Sequence, residues 1–560
     1  PLVPDDLRFG LRERVTAAGE VLEGLDEQEL LKTVWRLQDA KIDSAAICLL
    51  FSFLQPQHEQ RIAEALSSLD IPVSISHIIL PEYREFERTS TTTINAYLQP
   101  LFGSYLNRLA EKTPRLRVMQ SSGGSISASV AANEPVRTIL SGPAGGVVGA
   151  LRAAKTAGFD KIITFDMGGT STDVALCEQD GLRMTNEASI AGLPVAVSVL
   201  DIHTVGAGGG SIARVDEGGS LRVGPQSAGA DPGPACYGRS TLPTVTDAHL
   251  VLGHFGGVGL LGGDFPIDEG LARLAFVQLA FDMSEAAGRK VSTIEAARGV
   301  LAIANTNMER ALRRISVERG YDTRGFALLP FGGAGGLHAV ALAQALRIPL
   351  VIVPNSAGAL SAVGVLTADV VKDQSRTIML EVTAGVEKNL EKSFKEMETD
   401  ARAALVREGF SQSKQRHERS LALRYKGQSF ELEVKQTSGD LRAAFHRAHQ
   451  ERYGYAQESN SVEIVSARVR SSGVTEKLPE KRSRVARRRG YPRAAKHVEA
   501  YFATGKLKVA VYRREQLSAG LQLRTPCIVT EYSSTTLIPP GVRVVVDAFR
   551  NLIIQVGESA

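Results

Sequence analysis

One stretch constrains this chain more than any other: KIITFDMGGTSTDVAL, at residues 161–176. Its apolar run at 162–165 predicts a buried strand that delivers Asp166 into a loop of Gly168, Gly169, Thr170, Ser171 and Thr172. Asp173 then opens a second strand. Glycines let backbone N–H groups come close to phosphate oxygens, hydroxyls donate to them, and carboxylates hold a divalent cation directly or through water. A P-loop is excluded, because no GxxxxGK followed by Ser or Thr precedes a helix here. The bland alternative is a plain Gly-rich turn. Two Asp, three hydroxyls and two Gly within eight residues argue instead for a phosphate-clamping hairpin.

About 160 residues later, FALLPFGGAGGLHAVALAQAL runs as a strand into Gly332, Gly333, Gly335 and Gly336 and then directly into a helix. Missing side chains open space for a ligand, and the free N–H groups of the helix start face it. Alone, such a turn often means only tight packing. After a phosphate loop, its place in the order is that of the adenosine contact in actin-type ATPases. Two small-residue segments flank the pair, SGPAGGVVGALRAA at 141–154 and AGALSAVGVLTAD at 357–369. They predict two helices that approach closely, as connecting helices do at a hinge.

DIHTVGAGGGS places Asp201 and His203 before a four-glycine loop, and PTVTDAHL places Asp247 after a strand-like segment. An imidazole among carboxylates is a candidate divalent-metal or water-activating set, here Asp166, His203 and Asp247. A hydrogen-bonded core histidine and a helix-capping aspartate account for His203 and Asp247 equally well. His249 and His254 fit a helix face and a loop. Cys236, in DPGPACYG, fits a small buried residue better than a nucleophile, since no base lies near it. Arg88, Thr89 and Arg137 are candidates for substrate or phosphate contacts, with salt bridges or caps as the plainer alternative.

The rest of the chain sets the frame. Residues 5–122 alternate helix (27–40, 57–68, 91–109) with strand (45–51, 73–79, RVMQSS), which predicts a mostly parallel sheet. Residues 139–369 are rich in glycine and small side chains. A charged helix at 386–408, strands around 421–435 and 462–470, and a β-rich tail at 500–556 follow. The basic run EKLPEKRSRVARRRGYPR at 476–493 contains Pro and Gly and has acidic neighbours, so it reads as a solvated linker. With 65 Lys and Arg against 61 Asp and Glu the net charge is only +4, which implies no general attraction to nucleic acid or membrane. The four cysteines, Cys48, Cys177, Cys236 and Cys527, lack CxxC spacing, so neither a disulfide framework nor a thiolate zinc site is expected and a cytoplasmic setting fits.

The strings QSSGGS, LSGPAGGVVGA, FDMGGTSTDVAL, DIHTVGAGGGSIA, DPGPACYG, PTVTDAHLVLG, SVERGYD, FGGAGGLHA, RYGY and EYSSTT together resemble the hydantoinase A, 5-oxoprolinase and ketone-carboxylase family, from about Asp6 to Val556. Gly336 departs from the family, which often has Pro there. The resemblance implies an α/β, actin and sugar-kinase-like (ribonuclease H-like) two-lobed ATPase fold with a β-rich α+β C-terminal domain. It also implies ATP together with Mg²⁺ or another divalent metal, Mn²⁺ or Zn²⁺, and a cyclic amide or ketone as substrate. A hydantoinase B-like subunit and an oligomer are the implied partners. In this scheme Asp166, Gly168, Gly169, Thr170, Ser171 and Asp173 clamp phosphates and metal, Gly332, Gly333 and Gly335 hold adenosine, and His203 and Asp247 hold metal or orient water. Cyclic-amide hydrolysis through carbonyl-oxygen phosphorylation is the implied reaction. A ketone-carboxylase subunit and a nucleotide-binding structural subunit are its rivals. Family members usually open with a further DxGGTxTD loop, and this chain carries one copy. The expected domains are therefore 1–138 as the remainder of lobe I, 139–376 as the nucleotide-binding core, and 377–560 as the C-terminal domain.

Overall fold

The computed structural model describes residues 2–556 apart from 114, 179–180, 384, 437–438, 478, 480 and 486–489. The basic run at 476–493 thus lies partly outside the described residues. Two compact units emerge, each assembled from separated stretches. One comprises Pro1–Ser141, Met184–Val199 and Ala368–Glu476, the other Gly142–Arg183, Leu200–Thr367 and Lys477–Ala560. The segment expected as a C-terminal domain, 377–560, contributes to both. Its first part adds strands to the sheet of the former unit, and its tail extends the sheet of the latter.

In the second unit the central sheet is built on β1 (Ile162–Met167), β2 (Thr172–Glu178), β3 (Ile202–Val205), β4 (Ala327–Phe331) and β5 (Leu350–Val353), in the order β3-β2-β1-β4-β5. β1, β2 and β3 form an antiparallel meander, while β4 lies parallel to β1 and β5 parallel to β4. This is the ribonuclease H-like arrangement of actin and sugar-kinase ATPases. The order follows from burial. β1 and β4 are apolar almost throughout, with Ile162, Ile163, Phe165, Leu328 and Leu329 inaccessible, and such continuous apolar runs suit central strands covered on both faces. Beyond β5 the sheet continues antiparallel through Leu552–Gln555, Arg543–Val546 and Gln522–Leu523.

The helices of this unit that matter here are α1 (Ser141–Thr156), α2 (Val245–Val251), α3 (Thr293–Ile315), α4 (Gly335–Ala345) and α5 (Leu360–Thr367). The close approach expected of the two small-residue segments is present between α1 and α5. A β-carbon at Gly364 would stand 1.8 Å from the Gly145 carbonyl oxygen, so only glycine permits this crossing.

The first unit does not form the mostly parallel sheet expected of residues 5–122. Ala45–Ile47 and Val73–Ile75 pair in parallel, packed by Glu27–Asp39 and Gln57–Leu66 around Leu30, Val34, Ile62 and Leu66. Arg117–Met119 instead turns back antiparallel onto Ser125–Ser127, because the Gln120 N–H donates to the Gly124 carbonyl and closes a tight turn. That hairpin joins a different, mixed sheet with Val370–Glu381, Val462–Gly473, Gln415–Tyr425 and Leu432–Lys435. Val386–Arg407 covers this sheet through Leu390, Phe394 and Met397. All four cysteines are free. Among the described residues no helix is long and apolar enough to cross a membrane.

Candidate active site

The two glycine motifs meet because β1 and β4 are neighbours in register. Asp166 stands opposite Phe331 at the carboxyl ends of both strands, so the loop at 168–171 and the turn at 332–334 leave the same edge of the sheet. Carboxyl ends of parallel strands are where open α/β sheets bind ligands. The turn is fixed to the first motif by the Ala334 N–H, which donates to the Met167 carbonyl. Gly332 has φ +77°, and a β-carbon there would lie 2.4 Å from Asp166 Oδ1. Its glycine is thus required twice over, by conformation and by space.

A third glycine loop braces the first. β3 delivers residues 206–210, where the Gly209 and Gly210 N–H groups donate to the Gly168 and Gly169 carbonyls. The glycines of VGAGGGS and FGGAGGLH thus come together beside the first loop. Gly168, Gly169, Gly209, Gly333 and Ala334 line one cavity of about 500 Å³, and α4 starts at its edge. Thr170 and Ser171 belong to the same hairpin outside the cavity wall, while Gly332 and Gly335 flank it. The rest of the wall is largely apolar, with Phe255, Leu260, Leu337 and the edge-to-face pair Tyr237 and Phe265, ring centroids 4.9 Å apart. Glu531, Tyr532, Ser533 and Ser534 close another side. Glu531 Oε1 and Ser534 Oγ are buried without a protein partner, which marks that side as suited to a polar ligand. Tyr237 and Glu531 to Ser534 lie in DPGPACYG and EYSSTT, strings that signalled resemblance without signalling chemistry.

Asp166 and Asp173 face each other across β1 and β2. Burial and then the charge of Asp173 push the Asp166 carboxyl from 3.8 up to about 7. Burial also raises Asp173, partly offset by the Thr204 hydroxyl, which donates to it at 2.5 Å. Two partly buried like charges are relieved either by a proton or by a nearby cation.

His203 and Asp247 do not join this pair. Side chains alternate along a strand, so Thr204, opposite Asp173, shares its face, whereas His203, opposite Val174, points to the other. Burial and the guanidinium groups of Arg314 and Arg319 make that imidazole less basic. Asp201, two residues earlier, is ion-paired with Arg319. Asp247 is inaccessible, and its carboxylate is saturated. It accepts from the N–H groups of Ala235, Cys236 and Thr244 and from the Thr244 hydroxyl, completing a capping box at the start of α2. Among the described residues, no group of three or more His, Cys, Asp or Glu is placed to hold a metal. The expected Asp166, His203 and Asp247 metal set is therefore corrected: alternation and capping remove two of its members. Cys236 is buried, and desolvation with the Asp247 charge raises its thiol, as a structural cysteine requires. Arg137 pairs with Glu134, and Arg88 donates to the Glu82 and Leu49 carbonyls, both the plainer alternative.

Family models decide the relationship. Residues 88–374 match the hydantoinase/oxoprolinase model, 1–69 its N-terminal region and 380–556 its C-terminal domain. The chain belongs to the hydantoinase/oxoprolinase family. This family member is 37% identical to an uncharacterised protein of Methanocaldococcus jannaschii over 99% of the chain and 83% of the relative. It is 32% identical to caprolactamase subunit alpha of Pseudomonas jessenii over 98% of the chain and 81% of the relative. The crystal structure of that organism's ATP-dependent caprolactamase superposes with a TM-score of 0.88 at 31% identity, covering 99% of this chain and 83% of that one. Nucleotide-free acetone carboxylase, from a study of ATP-dependent acetone carboxylation, superposes at 0.78 and 26% identity over 100% and 82%. As a hydantoinase/oxoprolinase member, the chain thus carries the glycine-lined cavity within an actin-like ATPase fold.

Proposed function

We propose that this chain is the nucleotide-binding component of an ATP-dependent enzyme that opens a cyclic amide of the hydantoin, N-methylhydantoin, 5-oxoproline or caprolactam type. The observation that carries the reading is the convergence of three glycine loops on one cavity beside the Asp166 and Asp173 pair. Similarity to an ATP-dependent caprolactamase supports both the nucleotide and the amide.

The residues fit Mg·ATP. Gly168, Gly169, Thr170 and Ser171 offer N–H and hydroxyl donors to phosphates, and Asp166 with Asp173 offers the carboxylates a divalent ion needs. Gly332, Gly333 and Gly335 leave room for the nucleoside at the start of α4, where helix N–H groups favour anions. The apolar wall of Tyr237, Phe265 and Leu260 suits a flat base, and the unpartnered Glu531 Oε1 and Ser534 Oγ suit polar edges or hydroxyls. An amide carbon is a poor electrophile because of resonance. Mg·ATP would supply the phosphoryl group that turns the carbonyl oxygen into a leaving group for attack by water. The chain's own share is positioning and charge neutralisation, on which phosphoryl transfer chiefly depends.

Acetone carboxylase as a structural neighbour favours a second reading, phosphorylation of an enolate oxygen before carboxylation. The deciding experiment measures nucleotide hydrolysis by the purified chain, with and without a co-purified hydantoinase B-like partner. Lactams and imides form one set of additions, acetone or acetophenone with bicarbonate the other. Lactam-stimulated turnover supports the amidase, ketone-stimulated turnover the carboxylase. Nucleotide binding without turnover in either assembly points to a structural subunit.

A further inference from the structure

His249, which lines the cavity, is the middle of three buried histidines that hydrogen-bond in series. His249 Nε2 meets His338 Nε2 at 3.0 Å, and His249 Nδ1 meets His254 Nδ1 at 2.9 Å. At one end His254 Nε2 lies 2.8 Å from the Tyr501 carbonyl oxygen. At the other His338 Nδ1 lies 2.6 Å from Asn305 Oδ1. The series ties α2, α3, α4 and the strand Lys496–Phe502 together behind the cavity.

Counting protons fixes what this series is. Its four hydrogen bonds need one proton each. With the Asn305 oxygen facing His338, both ends are acceptors and all four protons have to come from three rings. Three neutral imidazoles carry three, so one ring would be an imidazolium. The Tyr501 carbonyl beside His254 favours such a charge, but burial outweighs it. All three rings are buried, the charged group near them is the Arg298 guanidinium beside His254, and no carboxylate acts on any of them. Burial leaves His254 near about 4 and His338 near about 3, with His249 also well below its ordinary range. An amide satisfies the count by presenting its nitrogen instead, since its two halves are interchangeable in shape.

We infer that His338, His249 and His254 are positioning residues of the cavity wall, forming a neutral one-way relay: Asn305 Nδ2–H donates to His338 Nδ1, His338 Nε2–H to His249 Nε2, His249 Nδ1–H to His254 Nδ1, and His254 Nε2–H to the Tyr501 carbonyl. Each ring is thereby held in one tautomer. His249 keeps neither a free lone pair nor a free N–H for the cavity, so it shapes the wall and does not act as a base on a bound molecule. The link to nucleotide rests on the function proposed above; the tautomer order does not.

Nitrogen-15 NMR of histidine-labelled, nucleotide-free protein tests it. At neutral pH the expected pattern is one proton per ring, on Nε2 in His338 and His254 and on Nδ1 in His249, with couplings across the two N–H···N bonds identifying the three. An imidazolium in the relay, or an Nε2–H tautomer of His249, overturns the inference. Asn305→Asp replaces the amide donor by a carboxyl and leaves the series one proton short, so the variant must take up one proton, either on a ring as an imidazolium or on the new carboxyl, whose O–H then donates to His338 Nδ1. A folded Asn305→Asp protein in which all three rings are neutral while carbon-13 NMR shows the new carboxyl ionised overturns it as well, and should that variant not fold, the unaltered protein decides. ADP affinity of the variant is expected to fall by about tenfold, and unchanged affinity would refute the positioning role. Failure of the unaltered protein to bind ADP would strike the nucleotide reading alone, because the ring spectra are recorded without it.

Discussion

Asp166 and Asp173 stand directly opposite each other on adjacent antiparallel strands, and the loop between them carries both glycines of the phosphate-clamping motif. Like charges so placed repel. In the proposed site a divalent cation would remove that repulsion.

Asp166→Asn should therefore separate stability from binding. With one charge gone, the ligand-free protein is expected to melt at a higher temperature than the unaltered protein above neutral pH. Its affinity for Mg·ADP is expected to fall by roughly tenfold or more. Calorimetric titration beside thermal melting checks both, and an unchanged Mg·ADP affinity would remove Asp166 from the site.

The pH dependence has a definite sign. The folded chain holds the Asp166 proton up to about 7, whereas an ordinary carboxyl releases it near 3.8. Between those values the folded state binds more protons than the unfolded state, so the contribution of this group to stability falls as pH rises through that window and then levels off. In the proposed site Mg²⁺ would bind the ionised form. Melting of the ligand-free protein across this range, repeated with Mg²⁺, is expected to show a larger Mg²⁺ shift above pH 7 than at pH 5, and equal shifts would contradict the assignment.

Gly332→Ala places a β-carbon 2.4 Å from Asp166 Oδ1 at φ +77°. A non-glycine residue held in that region costs about 1–3 kcal/mol before the clash is counted. Denaturant titration should register the loss. Weaker Mg·ADP binding should accompany it, since the displaced atom is the carboxylate oxygen of Asp166.

Asp247→Ala and His203→Ala test the correction to the metal set. Removing the Asp247 carboxylate strands the Ala235, Cys236 and Thr244 N–H donors and should cost about 3 kcal/mol of stability. Folded protein of either variant, assayed at a temperature where it is native, is expected to keep Mn²⁺ and Mg·ADP affinities within about twofold. Loss of Mn²⁺ binding in either one would restore that residue to the metal site.

The strongly patterned parts were legible from residues alone. Apolar runs of inaccessible side chains announced β1 and β4, the glycine and hydroxyl density announced their loops, and small-residue spacing announced the α1 and α5 crossing, all because local composition limits what a segment can bury or how closely it can approach. Three-dimensional pairing decided the rest. Strand alternation turned His203 away from Asp173, a relation fixed only once β3 had paired with β2 in one register. Saturation of Asp247 depended on the turn at Ala235 and Cys236 folding over α2. Tyr237, Glu531 and Ser534 reached the cavity from distant segments. The three histidines became a relay only by packing, since His338 lies 89 residues from His249 in the chain. A sequence states which groups are present and what its segments prefer locally; which of them share a face, a cavity or a proton is set by long-range contacts that no local pattern encodes.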